Sequence, residues 1–319
     1  MAARGTHDVI VIGAGVIGLT AATVLAERGR RVLVRTIEAP AATTSAAAGA
    51  IWGPWLAEPL DRVLSWASLT LQALISLAAD ERTGVRMVPG RDISAGHRQA
   101  PAWFSLLGDV WPCAPTELPP GYSDGTRYVA PLIDMPVYLA YLEDRLRDAG
   151  GTVEIGPIDT LRQAAELAPV AVNCAGLGAR MLAADDTLTP TRGQHLITSN
   201  PGITEFTEAD TGESPDLIAI YPHRDHLVLG GTAEPGRWDR EPSMQTAQSI
   251  LARCTAIEPR LTAAVITGHR VGLRPTRGSI RLEPDPSTAR VYHNYGHGGA
   301  GVSLAWGCAE EIATMIESS

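Results

Sequence analysis

The chain has 319 residues, 45% apolar and 19% charged, with a net charge of −9, and all 26 of its basic side chains are arginine. Without lysine it cannot form a Schiff base with pyridoxal phosphate or a carbonyl substrate, nor carry the lysine of a Walker loop or a protein kinase. The apolar share supports a large core, the acidic balance argues against a nucleic-acid surface, and four scattered cysteines without a Cys-x-x-Cys read as reduced thiols.

Residues 8–12 are a β-branched apolar run, as expected of a parallel strand covered on both faces. Gly13-Ala14-Gly15-Val16-Ile17-Gly18 makes the turn, residues 16–28 read as a helix stopped by Gly29, and residues 31–35 complete a βαβ unit. The uncharged stretch 9–26 is interrupted by glycines and splits into strand-like and helix-like halves, so it reads neither as a membrane span nor as a signal peptide. Proline-rich loops break residues 101–120. Residues 135–149 have helical spacing at Leu139, Leu142 and Leu146, with Asp134 as N-cap, Pro136 in the first turn and Gly150 after the end. Strands are expected over 153–155, 168–173, 226–230 and 291–293, an amphipathic helix over 243–257 and a terminal helix over 301–316. Strands and helices alternate at both ends and mix in the middle. This predicts an α/β protein: a Rossmann-like nucleotide domain from the discontinuous segments 1–75, 150–195 and 265–319, with an interleaved mixed-sheet substrate domain of 76–149 and 196–264.

The Gly13-x-Gly15-x-x-Gly18 turn follows a strand and opens a helix, where glycines let the backbone approach a pyrophosphate at the positive end of the helix dipole. The acid that would grip ribose hydroxyls at the end of the second strand is replaced by Thr36; Glu38 lies two residues later, and Arg35 would suit a 2′-phosphate. On this fingerprint the adenine cofactor stays open. Thr43-Thr44-Ser45-Ala-Ala-Ala-Gly49-Ala50-Ile51-Trp52-Gly-Pro-Trp55 is a hydroxyl-rich loop of small residues able to meet phosphates and a flat ring. Val172-Asn-Cys174-Ala175-Gly176-Leu-Gly178 is a second strand-to-glycine turn, and His293-Asn-Tyr-Gly296-His297-Gly298-Gly299-Ala300-Gly301-Val302-Ser303 a third. Three such turns imply one extended ligand.

With these segments, and with Gly272-Leu-Arg274-Pro275-Thr-Arg277 and Trp306-Gly307, nearly the whole chain resembles the D-amino-acid oxidase family of FAD enzymes. The resemblance implies a glutathione-reductase-like flavin fold. It implies that Arg274 binds the substrate α-carboxylate, a task suited to a forked guanidinium, and that the Gly299 carbonyl receives the amine. Gly298 to Ser303 would line the flavin ring and ribityl chain, with the following helix directing its positive end at developing negative charge. Thr43, Thr44 and Ser45 would contact phosphates, Gly49, Ala50, Ile51 and Trp52 the flavin side, and Cys174, Ala175 and Gly176 the second turn; Val153 would meet the adenine side through its backbone.

The chain departs from the family where a substrate-facing tyrosine stands three positions before a proline: that position is Ala219, and Tyr221 adjoins Pro222. Tyr221 supplying a hydroxyl from a shifted register, a carboxylate held by another residue, and a larger pocket are the alternatives. The family's lid looks short, between Thr211 and Pro215. His293 and His297 lie among glycines that disfavour a helix, and His223-Arg224-Asp225-His226 reads as a solvated hairpin turn without a convergent third ligand, so no metal is expected.

The implied reaction is hydride transfer from the α-carbon of a neutral or apolar D-amino acid to flavin N5, giving a 2-oxo acid, ammonia and, with dioxygen, hydrogen peroxide. Glycine or sarcosine, D-acidic amino acids and a biosynthetic amine are nearer alternatives; an NAD(P)-dependent dehydrogenase, favoured by Arg35, and a non-catalytic flavin-binding protein are more distant ones. The expected setting is the cytoplasm, with no nucleic-acid or membrane partner and no peroxisomal Ser-Lys-Leu ending; a homodimer is compatible with it.

Overall fold

A computed structural model describes residues 7–210 and 216–318. β1 (Val9–Ile12), α1 (Val16–Glu27) and β2 (Val32–Thr36) form the expected βαβ unit. α2 (Leu60–Leu77) leads to β3 (Val85–Ser94), β4 (Val110–Pro112) and β5 (Asp124–Ile133). Then follow α3 (Met135–Asp148), β6 (Thr152–Ile155), α4 (Leu161–Leu167), β7 (Val170–Asn173) and α5 (Ala179–Leu182). β8 (Thr189–Ser199), β9 (Phe206–Ala209), β10 (Ile218–Pro222), β11 (His226–Gly230) and β12 (Glu234–Pro235) precede α6 (Met244–Ile257). β13 (Ile266–Pro284), β14 (Val291–His297) and α7 (Gly301–Glu317) end the chain.

Among the described residues the strands join one mixed sheet, ordered β4-β5-β3-β9-β10-β11-β8-β13-β14-β7-β1-β2-β6, with β12 on β8. The β14-β7-β1-β2-β6 portion is parallel, with Val9 opposite Val32 and Val170. Its central strand β1 is buried along its whole length, which its unbroken β-branched run requires. The β8–β13 ladder, from Thr198 opposite Ile266 to Thr189 opposite Thr276, joins this portion to the remaining strands.

Helix α1 is apolar almost all round because it is covered on several sides: β2 lies beneath it, and α7 and α3 pack against it. α3, expected in the 76–149 segment of the substrate domain, lies against α1, where Arg145 pairs with Glu27 at 2.6 Å, and meets α7, where Trp306 Nε1 donates to Tyr138 OH at 2.8 Å. α2 crosses α7 at Gly307, where a Cβ would come within 2.3 Å of Trp66 Cα. α6 lays Ala247, Ile250, Cys254 and Ile257 on β8, β10 and β11; its N-cap Ser243 accepts from Thr246 N at 3.2 Å.

The period-two alternation of β10 separates two environments. Ile218 and Ile220 face the α6 layer, whereas Ala219 and Tyr221 face the residue 43–55 loop and the core around α1. β14 extends past the expected His293 to His297, so both histidines are in a strand and not in a helix. All four cysteines are free thiols. No helix of the described residues is long and apolar enough to cross a membrane.

Candidate active site

The three glycine turns meet at the N-terminus of α1. Gly13 has φ +104°, and a Cβ there would lie 2.5 Å from the carbonyl oxygen of Cys174, so the first and second turns touch backbone to backbone. A Cβ on Gly301, at the start of α7, would lie 3.6 Å from Val16 Cγ1, which brings the third turn to the same place. Neither α1 nor α7 has a side-chain cap or an acid in its first turn, and the N–H of Val16 is met by Ser45 Oγ at 3.0 Å. Two positive helix ends thus converge in a glycine-lined cradle that fits the diphosphate and ring of FAD.

The residue 43–55 loop closes over this cradle through backbone bonds. Trp52 N donates to Pro131 O at 2.8 Å, Ile133 N to Ala50 O at 2.9 Å and Gly53 N to Ser303 Oγ at 3.0 Å. Ala50 has φ +58°, Ile51 bridges Leu132, and Trp52 is fully buried. Of the three hydroxyls expected at phosphates, only that of Ser45 stands at a helix start. Thr43 Oγ1 donates to Pro40 O at 2.7 Å and Thr44 Oγ1 to Leu273 O at 3.2 Å, so Thr44 ties the loop to β13 beside Arg274. Among the adenosine-side expectations, Val153 pairs with Val34, Glu38 is ion-paired with Arg240 at 2.9 Å, and Arg35 with Glu154 at 2.7 Å. Arg35 already has a carboxylate partner, which weakens the 2′-phosphate alternative.

Arg274 lies over Gly193 of β8: a Cβ there would stand 2.4 Å from Nη1 and 2.6 Å from Cζ. Its guanidinium has one hydrogen bond among the described residues, Nη1 to Thr232 O at 2.9 Å, and no ion-pair partner there. A guanidinium carries five N–H donors, so most of this one remains available in a desolvated setting that pulls its pKa below the ordinary range. Gly299 is beside it, with a Cβ position 3.6 Å from Arg274 Cδ, and Gly298, at φ +54°, donates its N–H to Pro275 O at 2.9 Å. His195 donates Nδ1–H to Ala47 O at 3.0 Å; burial, then Arg274, push its pKa down to about 4, so it is neutral at pH 7. The local charge is therefore that of the arginine, ready for a carboxylate.

One register row crosses the face beneath the loop: Arg270, His195, Gly230, Ala219, Glu208 and Asp92. At Ala219 the floor is small. Tyr221, two residues on, packs its ring on Gly49, but the hydroxyl expected to face a substrate carboxylate donates to Glu208 Oε1 at 2.6 Å. The reason is electrostatic: the half-buried Glu208 lies beside the buried Asp92, desolvation pushes both carboxyls up, and such a pair needs donors. Arg98 pairs with Asp92 and lies over Trp55, with its Cζ 5.1 Å from the ring centroid. Tyr221→Phe removes the shorter of the two tyrosine bonds to Glu208 and should lower stability by about 1–3 kcal/mol, read from urea unfolding; an unchanged midpoint would mean Glu208 does not depend on that donor.

The lid expected between Thr211 and Pro215 lies outside the described residues. The turn at His223 needs correction: His223 is 5% exposed and not solvated, and Asp134, from the start of α3, brings a carboxylate within 4.8 Å of ring nitrogens of His223 and His226. Sequence reasoning also missed Gly193, His195, Thr232 and Glu208. Gly193 follows the buried Arg192 in β8, but nothing local marks it as the platform of an arginine on the neighbouring strand.

A family model described as FAD dependent oxidoreductase (DAO) matches residues 8–315. The chain is 48% identical to a D-amino-acid oxidase of Rubrobacter xylanophilus over 99% of its length and 97% of that protein. It is 43% identical to a D-amino-acid oxidase of Streptomyces coelicolor, over 97% of its length and 96% of that protein. Among solved structures, glycine oxidase from Geobacillus kaustophilus matches with a TM-score of 0.84 at 20% identity, over 98% of this chain and 95% of that one, a likeness of fold.

Proposed function

The chain belongs to the FAD dependent oxidoreductase family of the D-amino-acid oxidases, and on that premise we propose that Arg274 and Gly299 hold the substrate of an FAD-dependent D-amino-acid oxidase. The reaction is oxidative deamination of a D-amino acid to the 2-oxo acid and ammonia, with dioxygen reduced to hydrogen peroxide. The observation that carries the residue assignment is the Arg274 guanidinium, desolvated, lying on Gly193 and lacking a carboxylate partner among the described residues.

FAD, when bound, would supply the acceptor for the α-carbon hydride and the two electrons that reduce dioxygen. The glycines of the 13–18 turn, Ser45 and the 298–303 turn would hold it, with Glu38 and Val153 on the adenosine half. Arg274 receives the α-carboxylate through two parallel N–H donors, and the Gly299 carbonyl accepts from the amine. Two fixed corners orient the α-carbon, and the side-chain pocket then selects the enantiomer. Hydride loss from a neutral amine requires no base on the protein, in keeping with the neutral His195.

Ala219 makes the floor beneath the loop small and apolar. Arg98 is paired with Asp92, and Arg270 is separated from Arg274 by Gly272, which Thr44 and Ala47 cover at 3.3 and 3.2 Å from a Cβ position. The preferred substrates are therefore neutral or apolar D-amino acids, and D-acidic ones are poor. The cytoplasm is the compartment of this reading, and a flavin domain interleaved with a substrate domain its organisation. Purified protein should be yellow and release FAD on denaturation. A peroxide assay across D- and L-amino acids, glycine and sarcosine should give turnover with neutral D-amino acids; turnover confined to L-amino acids, or to glycine and sarcosine, would sink the assignment.

A further inference from the structure

We propose that Asp134, His223 and His226 form a zinc site that fastens the β10–β11 hairpin to the start of α3. One ligand atom from each lies within 4.8 Å of the others, so small side-chain rotations bring them around one ion. The Nε2 atoms of His223 and His226 are both buried without a hydrogen-bond partner, and His223 is 5% exposed. A buried imidazole nitrogen that faces no donor is an expense that a folded chain usually avoids.

The remaining ring nitrogens have acceptors. His226 Nδ1 stands 2.7 Å from Asp225 Oδ1, and the backbone of Gly49 faces the His223 ring as an acceptor that favours its protonated form. Acceptors at these nitrogens hold the protons away from both Nε2 atoms and leave the lone pairs that a metal needs, the arrangement by which outer carboxylates and carbonyls orient metal-bound histidines. The two rings are nearly parallel, 12° apart with centroids at 4.8 Å, so they enter the site together. Asp134 is the N-cap of α3, yet its carboxylate makes no capping bond and is free to ligate.

The donor set selects the ion. Two imidazoles and one carboxylate suit zinc, with a fourth position for water, whereas magnesium and calcium prefer all-oxygen shells. Asp134 and His226 are half-buried, which leaves a way in. Two cations oppose a dication here: Arg86 and Arg270 both act on His223 and on Asp134. The site is accordingly weaker than a structural zinc centre, and it loads and empties with zinc concentration. It is separate from the amino-acid site, since Thr44 and Ala47 cover the strand between Arg270 and Arg274. Its effect is mechanical: zinc would join the hairpin that carries Tyr221, the start of α3 and, through His223, the loop at Gly49.

The test uses the FAD-loaded enzyme stripped of metal by chelation. Calorimetric titration with zinc chloride, followed by metal analysis after gel filtration, should show one zinc per chain and a raised melting temperature. Asp134→Asn and His226→Gln keep shape at half-buried positions and should retain flavin. Each should weaken zinc binding by on the order of a hundredfold, since loss of even an outer partner costs about 10–100-fold. His97→Ala, at a histidine paired with Asp124 far from the cluster in sequence, should bind as the parent does. Absence of zinc uptake, or equal uptake by the parent and both ligand variants, overturns the proposal.

Discussion

Arg274→Ala lowers kcat/KM for D-amino acids by roughly 10²–10⁴-fold, mainly through a raised KM, and leaves the flavin bound. Hydrogen bonds to charged groups contribute about 1.5–3 kcal/mol each, and a carboxylate on this guanidinium would accept two. At about 1.4 kcal/mol per factor of ten, losing both gives that range. The site offers no substitute: His195 is neutral at pH 7, Arg98 is paired with Asp92, and Arg270 lies beyond the strand segment that Thr44 and Ala47 cover. Removing the side chain leaves the α1 and α7 cradle untouched, so FAD content should match the parent. Arg274→Lys should recover part of the loss, because an ammonium keeps the charge without the fork. Steady-state peroxide assays with flavin quantified in the same samples decide it; an unchanged KM in the alanine variant would place the carboxylate elsewhere.

Gly18→Ala should abolish FAD retention. An added Cβ would stand 1.9 Å from the carbonyl oxygen of Gly13. That oxygen belongs to a turn whose other side is pressed against Cys174, so it has nowhere to move. Overpacking usually costs about 1–3 kcal/mol and occasionally more, and a clash with rigid backbone belongs at the upper end. Relief requires α1 to lift from the end of β1, which moves its N-terminus out of the cradle. Gly15→Ala is the control: its Cβ would meet only Ser45 Oγ, a side-chain atom that can rotate away, at 3.1 Å, so it should lose affinity without losing the fold. Flavin content and melting temperature of the two variants separate the effects; Gly18→Ala with parental FAD affinity would refute the close-packing argument.

Much of the fold was legible because its signals are local. The βαβ unit follows from a β-branched run, a glycine turn and a helix closed by Gly29, and α6 from Ser243 and a regular apolar stripe. Arg274 was singled out as a candidate through its flanking residues, since the segment around Pro275 and the glycines of 296–301 have chemistry that a family resemblance can carry. The placement of α3 was not: its own periodicity shows which face is apolar, not which helix covers it. Nor could Tyr221 be assigned a hydrogen bond to Glu208, because that bond depends on β9 and β10 pairing in one register.

By itself, then, the sequence determined the class of fold, an extended ligand met by three glycine turns, and, through the family resemblance those turns and the Arg274 segment carry, the flavin cofactor and the guanidinium on which substrate binding is expected to rest. All of these are written in short contiguous stretches, where backbone geometry and side-chain chemistry are set by near neighbours. Only the tertiary structure decided that Gly193 is the platform under Arg274, that Glu208 claims the Tyr221 hydroxyl, and that Asp134 completes a triad with His223 and His226. Each of those joins residues that are distant along the chain, and no local pattern encodes them, because sheet register and helix packing are settled collectively when the core closes.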